Sequence, residues 1–70
     1  MARWRRPAEL RVEDHGPLFL LWTLTRRGDD WLRAHVAADA TWWTDDALVV
    51  EPRYVADIVK GACQAGLAVR

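Results

Sequence analysis

His15 beside Asp14, His35, Glu51 with Arg53, and the single Cys63 are the residues whose types suit catalysis or metal binding. A histidine next to a carboxylate suggests an acid-base pair, yet neighbours in an extended segment point to opposite faces. Asp14-His15-Gly16-Pro17 reads instead as a turn, with Asp14 bonding local backbone and His15 at the turn surface. His35 reads as a helix-end side chain completing the edge of a core. His15, His35 and Cys63 lack the close spacings of a zinc site, and Cys63 reads as a small core or boundary residue. Glu51 precedes Pro52, where a carboxylate suits the positive end of a helix dipole, which leaves Arg53 to solvent. No phosphate loop or catalytic triad is present. The expectation is a protein with no catalytic, cofactor-binding or metal-ligating residue, not an enzyme and free of cofactors.

Two other groups suit binding. Trp42-Trp43 stands in a segment whose charged residues, Asp39, Asp45, Asp46 and Glu51, are all acidic. Exposed tryptophan is over-represented among interface hot spots, and a carboxylate rim steers it toward a basic partner surface. In a strand one ring faces the core and the other faces out; in the alternative, both rings close a small core. At the N-terminus, Arg3, Trp4, Arg5 and Arg6 combine phosphate pairing with base stacking, the chemistry of single-strand nucleic-acid binding. The alternative there is a solvated, fraying end.

The elements that must position these residues follow from periodicity. Glu9 to Glu13 alternates, with Leu10 and Val12 on one side and Arg11 on the other, and Leu18 to Leu24 reads as a central strand pairing with it. Thr25 caps a helix whose buried stripe is Trp31, Leu32, His35 and Val36, while Gly28 blurs its start. Asp39 to Asp46 is a short strand or a loop. Ala47-Leu48-Val49-Val50 is a continuous apolar run, as for a strand covered on both faces. Val55, Ile58, Val59 and Ala62 recur at i, i+3, i+4 and i+7 and form one helical face, expected to pack on Leu20, Trp22, Leu48 and Val50. Gly61 within that helix suggests close approach to another element, Gly66 is its stop, and Leu67-Ala68-Val69 alternates like a closing strand. The order β-β-α-(β)-β-α-β gives an α+β fold, a small mixed sheet of four to five strands with two helices packed on one face. Residues 1–8 read as a flexible basic arm and 9–70 as a single compact domain.

Composition removes several classes. Ten basic and ten acidic residues cancel over 70 residues, so no global field drives the chain onto nucleic acid or anionic lipid. Leu18 to Trp22 is far too short to span a bilayer, and the N-terminal arginines precede no apolar run of a signal peptide. Five tryptophans supply large apolar area to a domain in which burial only narrowly exceeds chain entropy. One cysteine fits a reducing cytosol.

Asp14-His15-Gly16, Trp31-Leu32 with His35-Val36, Trp42-Trp43, and Ala47 to Tyr54 with Asp57-Ile58 and Gly61 form a distinctive combination. In these residues the chain resembles a group of small uncharacterised proteins encoded by bacteriophages and other mobile elements of bacteria. The resemblance covers roughly Leu10 to Val69 and implies a genomic setting and not a reaction. It points to a cytoplasmic interaction protein in a bacterial host, one that inhibits a host defence complex, as anti-CRISPR proteins do, by steric and electrostatic blocking. The expected partner is a protein with a basic surface. The alternatives are a nucleic-acid-binding accessory protein using the arginine arm, or a self-assembling module that dimerises through an edge strand.

Overall fold

The computed structural model of the protein describes residues 7–70. Strands β1 (Leu10–Asp14) and β2 (Phe19–Thr23) form an antiparallel hairpin, with Leu10 opposite Thr23 and Asp14 opposite Phe19. Gly16 turns the chain at φ +78°, where a side chain would be strained, and its N–H donates to Asp14 Oδ1 at 2.8 Å. Helix α1 (Arg26–His35) starts at Thr25, whose hydroxyl accepts from the Gly28 N–H at 3.1 Å and satisfies one unpaired donor of the first turn. Strands β3 (Trp42–Thr44) and β4 (Ala47–Val50) form a second hairpin, and α2 (Pro52–Gln64) begins directly after Glu51 with proline at its first position. The sheet order is β1-β2-β4-β3, antiparallel throughout, and the fold is a small α+β domain.

Both helices cover one face. Leu10, Leu21, Leu48 and Val50 meet Leu32 of α1 and Ala62 of α2 there, with Leu67 closing one end and Val55 and Ile58 packed at the margin. Leu21 lies opposite both Val12 and Leu48, so the three share that face. Leu20 and Trp22 do not: they pair with Val49 and Ala47 on the opposite face, and the expected packing of α2 on Leu20 and Trp22 is corrected by one residue. Such a slip moves every side chain across the sheet, and Leu18 to Trp22 is apolar at each position, so its pattern carries no parity.

The closing strand is also corrected. Leu67 to Arg70 runs parallel to β1 but contributes only a single bridge, Leu10 to Val69. Ala68 accepts from the N–H groups of Glu9 and Leu10 at 2.7 and 3.2 Å, and Arg70 exchanges bonds with Val12 and Leu10. Leu67 is buried and Val69 packs on the core, as the alternation implies, while the Ala68 N–H goes to the Glu9 carboxylate at 3.2 Å. Gly66, at φ +88°, ends α2 as its position implies. No helix among the described residues is long and apolar enough to cross a membrane.

Candidate functional site

The β3 hairpin sends its two tryptophans in opposite directions. Trp42 pairs with Leu48 and packs on the core, where the Arg33 guanidinium lies 4.1 Å from its ring centre. Arg33 also reaches both carboxylate oxygens of Asp29 at 3.0 Å and donates to the Asp45 carbonyl. One arginine thus ties α1 to Trp42 and to the β3–β4 turn. Trp43 emerges on the other face, 64% exposed, with its ring edge-on to Trp22 at 5.9 Å and 85°. That geometry suits the ring quadrupoles and favours this orientation of Trp43.

Trp22 is itself held. Its indole N–H reaches Glu13 Oε1 at 3.4 Å, and the Arg11 guanidinium stands 5.7 Å from its ring centre while pairing with Glu13 Oε2 at 2.8 Å. His15 Nε2 donates to Glu13 Oε1, the oxygen that Trp22 also reaches. This hydrogen bond holds the Glu13 carboxyl below the ordinary glutamate range; slight desolvation opposes it, and Trp22 and the Arg11 charge add to it. Beneath lie Leu20, only 8% exposed although no helix covers it, and Ala47, which is fully buried. The uncovered face therefore has its own aromatic lid, with Trp43 as the projecting part.

Asp45 and Asp46 lie exposed in the turn after Trp43, at one end of β4. Asp39 and Glu51 lie at the other end, about 14 Å away for a four-residue strand. The six residues expected as one acidic tryptophan patch are thus separated: Trp43, Asp45 and Asp46 at the turn end, Asp39 and Glu51 at a groove, Trp42 in the core. The groove, of about 750 Å³, is bounded by the end of α1, the loop to β3 and the start of α2. Compared with protein-family models, with curated proteins and with solved structures, the chain matches none.

Asp14 and His15 form no pair, since Asp14 bonds the turn backbone and His15 turns to Glu13. His35 stacks on Trp31 at 4.3 Å and bonds its carbonyl at the helix end, but it is exposed, so its expected place in the buried stripe of α1 is corrected. Glu51 pairs with Arg53 at 3.4 Å. Cys63 is exposed rather than a core residue. Among the described residues no group of three or more histidine, cysteine or acidic side chains converges to hold a metal. Arg3, Trp4, Arg5 and Arg6 lie outside the described residues. The sequence reading missed Arg33 and the Arg11-Glu13-His15 row. Asp29 and Arg33 at i, i+4, and positions 11 and 13 on one face of β1 with His15 next in the same alternation just past its end, are the signals that marked them.

Proposed function

We propose that this chain is a non-enzymatic interaction protein that docks on a larger macromolecule through the uncovered sheet face. The carrying observation is Trp43, largely exposed yet packed edge-on against Trp22. A preordered indole loses little conformational entropy on binding and presents a large apolar area to desolvate. Arg11 and Glu13 flank the neighbouring Trp22, and the turn directly after Trp43 carries the exposed Asp45 and Asp46, so a partner with basic and apolar surface is favoured. Given the resemblance to mobile-element proteins, the specific version is an inhibitor of a bacterial defence complex, anti-CRISPR-like, that blocks a basic channel in the host cytoplasm.

The test is a plating assay. Bacteria with active CRISPR immunity are challenged with a targeted phage while expressing the parent chain or Trp43→Ala. The parent should restore plaques, and Trp43→Ala should lose the effect while still folding cooperatively, with a melting temperature lowered by no more than about 10 °C. Restoration by both forms alike would remove the Trp43 face from the function, and restoration by neither would remove the defence-inhibitor version.

The edge-strand route to self-assembly has less to recommend it. Leu67 to Arg70 covers the β1 edge, and the β3 edge is three residues long and irregular in register, both of which hinder strand addition.

A further inference from the structure

The groove at the end of β4 is chemically unlike the Trp43 face. Its floor is apolar, formed by Val36, Leu48, Val50 and Ile58. Two alanines of the connecting segment, Ala37 and Ala40, line it and are too small to fill the space above the floor. The charged residues lining it are Asp39, Glu51 and Asp57, and Tyr54, 48% exposed, stands at its mouth. Among the described residues Asp39 and Asp57 carry no ion pair, whereas Glu51 pairs with Arg53, whose guanidinium also lies 4.8 Å from the Tyr54 ring centre.

We propose that this groove receives a basic segment of a partner protein. An apolar side chain would cover the floor, and lysine or arginine on either side would reach Asp39 and Asp57. Charge complementarity carries the choice of occupant. Lysine and arginine have methylene stems that lie along apolar surface and cationic heads that seek carboxylates, which suits both parts of the groove at once. A small inorganic cation would leave the floor uncovered, and a nucleic-acid backbone would be repelled by the rim. Arg53 occupies the Glu51 and Tyr54 corner much as an incoming arginine would, so it competes with the ligand there. The site is independent of the Trp43 face, and failure of either leaves the other standing.

The experiment titrates the isotopically labelled full chain with a capped Arg-Leu-Arg-Leu-Arg peptide and follows backbone amides by NMR. Saturating shifts confined to residues 36–41 and 48–58 are expected, with none for Glu-Leu-Glu-Leu-Glu. Asp39→Asn with Asp57→Asn, both exposed positions, should keep the amide spectrum and weaken binding about tenfold, as for loss of paired charges. Arg53→Ala should strengthen it, and Ala40→Phe, which fills the groove without changing charge, should abolish it. The proposal is overturned by shifts that never saturate or that centre on Trp22 and Trp43, by equal binding of the acidic peptide, or by unchanged affinity in the two-carboxylate variant.

Discussion

Two glycines of this chain look alike in sequence and differ in what surrounds them. A Cβ on Gly28 would collide with the Glu9 carbonyl oxygen, because the first turn of α1 rests on the backbone entering β1. Gly28→Ala should therefore cost about 1–3 kcal/mol through forced backbone movement. At Gly61 a Cβ would meet Trp31 at 3.5 Å, an ordinary contact, so the close approach expected there does not require glycine. Gly61→Ala should instead stabilise α2 by about 0.5–1 kcal/mol. Thermal melts of the two variants should move in opposite directions, and movement in the same direction would contradict the packing. Glu13 offers a second residue-scale test. Its folded carboxyl is held below the ordinary glutamate value by His15, so its contribution is present above the unfolded pKa and is lost as pH falls through the lowered folded one. Carboxyl NMR should show a low midpoint that rises in His15→Ala, with the Trp22 indole N–H shift following the same curve. The glycine contrast was not legible from composition, because it depends on neighbours across the fold, whereas the Glu13–His15 contact is local and its i, i+2 spacing marks it.

Elements were legible where one signal had no competitor. Thr25, Pro52 and Gly66 mark helix ends through local chemistry, and the structure places the ends there. The side of β2 that faces the helices was not legible, because an all-apolar strand satisfies either parity; the registers with Val12 and Leu48 decide it. Helix α2 illustrates the consequence for energetics. Ile58 lies at the margin of the core and lines the groove, whereas Leu32 of α1 is fully buried. Leu32→Ala should cost about 2–5 kcal/mol and Ile58→Ala less, since the penalty grows with the cavity left behind. Denaturant unfolding would rank them, and a larger loss at Ile58 would displace the centre of the core. The C-terminal segment is likewise more important than its single bridge suggests. Deleting residues 68–70 would strip partners from the N–H groups of Glu9, Leu10 and Val12 and open the β1 edge. A lower melting temperature with concentration-dependent association is expected, measured by scanning calorimetry and light scattering.

At the scale of the whole molecule the sequence supplied the classes of surface but not their places. Balanced charge hid the fact that one end of β4 gathers Asp39, Glu51 and Asp57 around an apolar floor while the opposite sheet face gathers aromatics. The adjacent tryptophans show how the fold divides labour over so short a chain. Total stability for 70 residues is roughly 4–10 kcal/mol at the usual per-residue value. Trp42 joins the core, the Arg33 guanidinium and, through Arg33, the Asp45 carbonyl, so its removal also loosens the tie between α1 and the β3–β4 turn. A loss of about 3 kcal/mol from Trp42→Ala, in the range for truncating a large aromatic side chain that packs on a core, approaches the lower end of that total. Trp43→Ala removes a ring whose main contact is edge-on to Trp22 and should cost about 0.5–1.5 kcal/mol, the worth of such a pair. Circular dichroism at increasing temperature should therefore find Trp42→Ala largely unfolded under conditions where Trp43→Ala still melts as one cooperative unit. If instead Trp43→Ala unfolds, the uncovered face is a second core rather than a docking surface, and the interaction must be sought at the groove.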